Sequence, residues 1–185
     1  MKTISLLLVS ALISFGTYAQ NTGERKVMVG GGEMSSYKNA MANVMNSGDH
    51  TRLTAALQSA GLIQTLQGPG PFTIFAPTNE AFNKIGATPA KPTLTKVLKY
   101  HVIDGKWDSN DLMAALNGNG GSISLKTMQG GYLKFSMNGD KITITDENGM
   151  SGMVTVKDIY QSNGVVHVVD TVMMPFDSKK SKISM

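Results

Sequence analysis

The sequence predicts an α+β protein, because the spacing of its apolar residues changes partway along the chain. Up to about residue 118, apolar residues mostly recur at the i, i+3, i+4 spacing of amphipathic helices. From Gly121 onward they alternate with polar residues, which is the spacing of β-strands. Helices followed by successive strands favour segregated α and β regions over the alternating units of a doubly wound parallel sheet.

The N-terminal residues 1–19 have the pattern of a secretory signal peptide. Lys2 gives a positive start, and residues 4–15 form an apolar run. Thr17 and Ala19 are the small residues at the −3 and −1 positions of a cleavage point before Gln20. The run is shorter than the roughly 20 residues of a membrane span, although an uncleaved anchor remains the alternative. The sequence therefore predicts export to the periplasm, the cell surface or the medium. Residues 20–36 are polar and glycine-rich and predict a flexible N-terminal segment, either a linker or a loosely attached arm.

Two helices are predicted between residues 37 and 61. Apolar residues fall at helical spacing over residues 37–45, and again over residues 53–60, where they form one face. Asp49 is the expected N-cap of the second helix, and Gly61 is its expected left-handed C-cap. A further short helix is expected at residues 62–66, ahead of a Gly-Pro segment that breaks the pattern.

A buried strand is predicted at residues 72–75, followed by three more helices. Pro77 ends the strand, and Thr78 is the expected N-cap of a helix that turns Phe82 inward. A second helix is expected over residues 94–101, and a third starts after its expected cap, Ser109.

Five strands are predicted after Gly121 and are expected to form an antiparallel meander. Their sequences are SISLKTM, GYLKFSM, KITIT, MVTVKDI and VVHVVD. Asn138-Gly139, between the second and third strands, is typical of a type I′ hairpin turn.

Composition narrows the possible functions. The 185 residues are 41% hydrophobic and 16% charged, as expected of one globular domain. The net charge of +4 comes mostly from scattered residues, so a nucleic-acid partner is not expected. The lysines of the basic tail, residues 177–185, have the character of a solvated segment. The chain has no cysteine, which excludes disulfides, thiolate catalysis and cysteine-based metal sites.

No catalytic or metal-binding constellation is visible around the three histidines. His50 is expected at the surface, whereas His101 and His167 lie on apolar faces and are expected to be buried, neutral and hydrogen-bonded. His167 and Asp170 are three residues apart on one strand and so point to opposite faces, which counts against a hydrolase built on that pair. We therefore expect no catalysis and no bound cofactor.

Thirteen methionines keep a second function open. Thioethers bind Cu(I), so a periplasmic small-molecule or Cu(I) carrier that uses methionine and histidine is the alternative hypothesis. Met150 and Met153 are the pair with an M-x-x-M spacing, and methionine is also a common core filler.

Three separated motifs resemble those of the fasciclin domain family. GPFTIFAPTNEAF resembles the family's first signature block, LTKVLKYHVIDGK its Tyr-His segment, and DIYQSNGVVHVVDTVMMP its second block. The stretch from residue 49 into the first block also matches, and VGGGEM ahead of the first helix resembles the short entry segment of bacterial single-domain members. The resemblance runs from about residue 34 to residue 176. The chain is similar to the single-domain, secreted bacterial members, with a domain at residues 37–176.

The resemblance implies a fasciclin-like fold, in which several short helices pack on the edge and side of a β-sheet wedge or sandwich. It also implies an exported adhesion module that binds a protein or glycan at the envelope or matrix without catalysis; we expect it to be monomeric. In animal members, two motifs are tied to partner binding. They fall here on Asp158-Ile159 and on Tyr100-His101. Because the residues around Tyr100-His101 are apolar, a core role for that pair stays open.

Overall fold

The structure, a computed structural model, describes residues 23–176. The expected signal peptide at 1–19 and the basic tail at 177–185 lie outside the described residues. The helices are α1 (Ala40–Met45), α2 (Thr51–Ala60), α3 (Ile63–Gln67), α4 (Asn79–Lys84), α5 (Lys91–Tyr100) and α6 (Ser109–Gly118), with a 3₁₀ turn at Gly48–His50. The strands are β1 (Lys26–Val29), β2 (Gly32–Ser35), β3 (Phe72–Pro77), β4 (Val102–Asp104), β5 (Ser122–Lys126), β6 (Tyr132–Asn138), β7 (Lys141–Thr145), β8 (Ser151–Gln161) and β9 (Gly164–Val169).

Seven of these strands form one sheet in the order β4-β3-β9-β8-β7-β6-β5. The predicted α+β class is confirmed, and β5 to β9 are the expected antiparallel meander. The sheet is nevertheless mixed, because β3 pairs in parallel with β9, from Phe72 opposite Gly164 to Pro77 opposite Val169. This pairing places the first motif beside the second motif, about 90 residues later in the chain.

The two faces of the sheet bury different side chains, because successive strand residues point to opposite sides. On β3, Ile74 and Ala76 join the cluster that packs under α1 to α5, whereas Phe75 joins a second cluster with α6. The second cluster lies inside the curled sheet and includes Phe135 and Leu112, both fully buried. Helices α1 to α5 thus close one face of the sheet, and α6 together with the curled strands closes the other.

The described part of the segment expected to be a flexible linker is instead an ordered β-hairpin. β1 and β2 pair from Lys26 opposite Ser35 to Val29 opposite Gly32. Met34 is 1% exposed, and the Gly48 amide donates to the Gly30 carbonyl at 3.0 Å, so the hairpin is packed against α1 and the 3₁₀ turn. The glycines that predict a linker instead form the turn of the hairpin, because Gly30 and Gly31 adopt left-handed φ angles of 56° and 73°.

Two predicted helix caps are displaced. Asp49 does not cap α2; the Asn79 amide oxygen accepts from the Arg52 amide at 2.9 Å, so the start of α2 is capped from α4. The cap of α6 is Asp108, one residue earlier than expected, and it forms a capping box with Asp111. The predicted caps at Thr78 and Gly61 are confirmed.

The hairpin turn between β6 and β7 also differs from the prediction. Asn138 pairs with Lys141, so the turn residues are Gly139 and Asp140. A type I′ turn needs two left-handed residues, and here only Gly139 has a positive φ, at 59°.

None of the helices within residues 23–176 has the length and apolar character needed to cross a bilayer.

Candidate partner-binding site at the bulge of β8

Asp158 lies at an irregularity in the longest strand. The register of β8 against β9 shifts between Val156 and Ile159, which marks a β-bulge. Asp158 has φ of +60°, a left-handed backbone that aspartate tolerates better than most residues but still at a cost. Since such a conformation persists only where the surroundings enforce it, the contacts of this residue are informative.

The carboxylate of Asp158 ties the bulge to the start of α6. One oxygen accepts from the Ser109 amide at 2.6 Å, and the other accepts from the Ser109 hydroxyl. A carboxylate at this end of a helix also interacts favourably with the helix dipole. The backbone of Asp158 is held as well, because its amide donates to Nδ1 of His167 at 3.3 Å.

His167 extends this hydrogen-bond network to the loop before α6. Since Nδ1 accepts from Asp158, the ring proton is on Nε2, which donates to the Trp107 carbonyl at 2.8 Å. Burial lowers the pKa of His167, so the ring is neutral near pH 7. The ring stacks on Phe75 at 5.4 Å between centroids, which connects the first motif to the second. Both ring nitrogens are engaged, so His167 cannot serve as the base of the hydrolase hypothesis without breaking a bond.

A cluster of polar and aromatic side chains lies on the surface next to the bulge of β8. The half-buried ring of Tyr160 has the Arg25 guanidinium 4.3 Å from its centroid and the Lys106 ammonium at 5.3 Å. Its hydroxyl donates to Asp108 at 3.2 Å, and that carboxylate lies 3.8 Å from Lys106. We call Arg25, Lys106, Asp108 and Tyr160 the Tyr160 cluster.

Three of the four predicted contact residues are interior. Ile159 is 1% exposed, Tyr100 is 0% exposed and His101 is 3% exposed, whereas Asp158 is half-buried. A partner docked on this folded surface cannot reach the three interior side chains. Of the four residues in the two predicted pairs, the structure brings only Asp158 to the exterior.

Tyr100 and His101 use their polar atoms inside the protein. The Tyr100 hydroxyl donates to the Tyr132 carbonyl at 2.6 Å and accepts from the Glu147 amide at 3.2 Å. Nε2 of His101 accepts from the Met173 amide at 3.0 Å, so Nδ1 carries the proton and donates to the Val97 carbonyl at 2.8 Å. Burial lowers the pKa of His101 to about 4. The prediction of buried, neutral, hydrogen-bonded rings is confirmed for His101 and His167.

The prediction for His50 is wrong, because its side chain is 0% exposed and sits behind the hairpin. Nδ1 lies 2.9 Å from the Ser47 hydroxyl, which itself donates to the Val29 carbonyl. The sequence carried the signal, since His50, Leu53 and Leu57 follow the i, i+3, i+7 spacing of the buried face of α2. Arg25, Trp107 and Tyr160 were missed for a different reason: no local pattern brings them together.

We expect Ser109→Ala to lower the free energy of unfolding by about 1–3 kcal/mol, because the Asp158 carboxylate loses a donor while its backbone strain remains. Ser122→Ala, a half-buried strand residue, is the control and should change stability by less than about 0.5 kcal/mol. Urea unfolding followed by circular dichroism measures both. Equal stabilities for the two variants would contradict a structural role for the Ser109–Asp158 contact.

Comparisons with known proteins agree with this architecture. The family model described as "Fasciclin domain" matches residues 48–175, well over half of the chain. The chain is 37% identical over 147 residues to the transforming growth factor-beta-induced protein ig-h3 of Sus scrofa, covering 73% of this chain and 20% of that protein. It is 34% identical over 131 residues to protein sll1483 of Synechocystis, covering 66% of each chain. The chain thus spans only about a fifth of the length of the animal relative.

The fold has a solved counterpart. A FAS1 domain pair from the insect cell adhesion molecule fasciclin I matches with a TM-score of 0.63 and 18% identity, covering 78% of this chain and 52% of that chain. At this identity the likeness concerns the fold alone. The motifs, their packing into one sheet and the match over residues 48–175 lead to one conclusion. The chain belongs to the fasciclin domain family.

Proposed function

We propose that this protein is an exported, monomeric adhesion or binding module that recognises a protein or glycan of the cell envelope or matrix without catalysis. Family membership supports a binding module, since fasciclin domains occur in adhesion and extracellular matrix proteins. The signal-like residues 1–19 support export.

One observation carries the non-catalytic part of the proposal: the polar atoms of the shared motifs are used to build the frame. The Tyr100 hydroxyl and both nitrogens of His101 and of His167 are engaged in internal hydrogen bonds. Atoms so engaged are unavailable for substrate unless a buried bond is broken, at a cost of about 1–3 kcal/mol each. In this proposal the motif residues stabilise the fold, and exposed residues elsewhere on the surface bind the partner.

The exterior around Asp158 is the first of two parts of the surface that we assign to recognition. The Tyr160 cluster combines an aromatic ring, two cations and a carboxylate beside the bulge of β8. Arginine and tyrosine are enriched among the residues that dominate binding energy at protein interfaces. Tyr100, His101 and Ile159 contribute by positioning the strands that carry this surface.

The alternative of a small-molecule or Cu(I) carrier lacks a supporting observation in the described part of the chain. The histidine rings are buried, whereas Met28 and Met150 are 65% and 56% exposed. A carrier would need thioether and imidazole groups to meet at one site. Addition of Cu(I) up to one equivalent tests the alternative. A saturable rise in the thermal stability of the protein would support a carrier function.

Binding of the mature chain, residues 20–185, to an immobilised envelope fraction tests the proposal. We expect saturable binding that excess soluble protein competes away and that heat-denatured protein does not show. Protease treatment of the envelope removes a protein partner, and periodate oxidation removes a glycan partner. The charge reversal Lys106→Glu should weaken binding more than Lys96→Glu on the exposed face of α5. Absence of saturable binding would contradict the proposal.

A further inference from the structure

A second feature of the exterior lies where the seven-stranded sheet fails to close. β4 and β5 are its two edge strands, and one backbone hydrogen bond joins this region, from the Met128 amide to the Val102 carbonyl at 2.8 Å. Beyond that bond the edges leave an open surface cleft of about 570 Å³. Its lining is Ile103, Asp104, Trp107, Leu125, Lys126, Thr127, Met128 and Gly130. We call it the edge cleft.

Backbone groups face the edge cleft from both sides. On either side of β4, the His101 carbonyl accepts from the Phe75 amide and the Gly105 amide donates to the Pro71 carbonyl. By alternation the backbone amide and carbonyl of Asp104 point away from β3. On β5, the Thr127 amide bonds to the Gly131 carbonyl, so the groups of Lys126 point away from β6. Both edges therefore present amide donors and carbonyl acceptors that the sheet itself does not use.

The side chains of the edge cleft combine an aromatic wall with a balanced pair of charges. Trp107 is half-buried, and Leu125 and Met128 extend the apolar surface. Asp104 and Lys126 are exposed and have no ion-pair partner within 4.0 Å among residues 23–176. One carboxylate and one ammonium leave the lining without net charge, so neither an anionic nor a cationic ligand is favoured.

The backbone of Trp107 is held by hydrogen bonds on both sides. Its amide donates to the Thr73 hydroxyl at 2.8 Å, and its carbonyl accepts from His167 at 2.8 Å. The same histidine accepts from Asp158, so the strained bulge of β8 and the aromatic wall of the edge cleft belong to one hydrogen-bond network. The indole ring of Trp107 packs against the second core cluster.

From these features we infer that the edge cleft binds a neutral saccharide unit of a glycan, with one sugar face on Trp107 and its hydroxyls on Asp104 and Lys126. Sugar rings offer an apolar C–H face and a rim of hydroxyls that both donate and accept, which matches an aromatic wall beside mixed donors and acceptors. An extended peptide fits less well, because β4 has three residues and the Val102 carbonyl is already paired with Met128. The inference rests on the proposed function and chooses the glycan over the protein partner.

Trp107 is the single tryptophan of the chain, so intrinsic fluorescence reports directly on the edge cleft. We would titrate the mature chain with chitotriose, cellotriose and maltotriose, and in parallel with trigalacturonate and an extended Thr-Val hexapeptide. At least one neutral trisaccharide should give a saturable change, with a dissociation constant on the order of 1 mM. Asp104→Ala and Lys126→Ala should each weaken it about tenfold. Asp140→Ala and Lys96→Ala, exposed and outside the edge cleft, are the matched controls.

Three results would overturn the inference: no saturable change with any neutral trisaccharide, a response to trigalacturonate or the hexapeptide alone, or equal weakening in the control variants. The envelope-binding assay separates this failure from failure of the proposed function. If wild-type protein binds the envelope and Lys126→Ala binds equally well, the module recognises its partner elsewhere. If wild-type protein binds no envelope component, the proposed function itself fails.

Discussion

Phe75→Ala is expected to lower the free energy of unfolding by about 3–5 kcal/mol, because it removes a fully buried ring from a region that cannot collapse around the void. Phe75 is 0% exposed and lies on β3, which is paired on both sides. Its ring is 5.2 Å from that of Phe135 and 5.4 Å from that of His167, measured between centroids. Domains of this size are stable by about 5–15 kcal/mol, so the loss is a large share of the total.

Urea unfolding of Phe75→Ala measures this loss, and Phe176→Ala is the matched control. Phe176 is 57% exposed, so its truncation should change stability by less than about 0.5 kcal/mol. The interpretation of the first motif as scaffold depends on the difference between the two variants. A Phe75→Ala protein as stable as Phe176→Ala would show that the motif does not build the core.

Stability is expected to fall by about 2 kcal/mol between pH 7.5 and pH 5.0 through His101 alone. Burial lowers its pKa from the ordinary 6.5 to about 4 in the folded protein, so the folded state resists protonation. The unfolded chain gains the proton as the pH falls below about 6.5, and the folded protein gains it only near pH 4. The native state is therefore progressively destabilised across that window. Burial lowers the pKa of His50 and of His167 as well, which adds to the loss.

Comparison of wild type with His101→Gln isolates the contribution of this ring. Glutamine does not titrate, so the variant should lose less stability between pH 7.5 and pH 5.0, whatever its stability at pH 7.5. Urea unfolding at several pH values gives both slopes. Identical slopes in the two proteins would mean that His101 titrates normally and is not held neutral by burial.

Local signals in the sequence were sufficient for most helices and strands. The spacing of Leu53, Ala56 and Leu57 and the alternation in β5 to β9 are properties of single segments, and the structure has both. Errors arose where a distant residue decides the outcome. Asn79 replaces Asp49 as the cap of α2, and the glycine-rich hairpin is ordered because it packs on α1 and the 3₁₀ turn.

The candidate site was less predictable for the same physical reason. The motif residues are conspicuous in the sequence, but a sequence pattern cannot distinguish a side chain that contacts a partner from one that supports the strand beneath it. Asp158, Ser109, His167 and Trp107 form one network only after β8, β9 and the start of α6 have come together. The edge cleft likewise exists because β4 and β5 do not pair with each other. The sequence of either strand alone does not predict this.

Titration of the histidine rings by ¹⁵N-edited NMR in the folded protein is the most direct test of the central claim, that the His101 and His167 rings of the shared motifs belong to the interior framework. We predict that His101 stays neutral, with its proton on Nδ1, down to a pKa of about 4. We also predict that His167 stays neutral with its proton on Nε2, as its bond to the Trp107 carbonyl requires. A His101 ring that titrates near the ordinary 6.5 and exchanges freely with solvent would contradict the account.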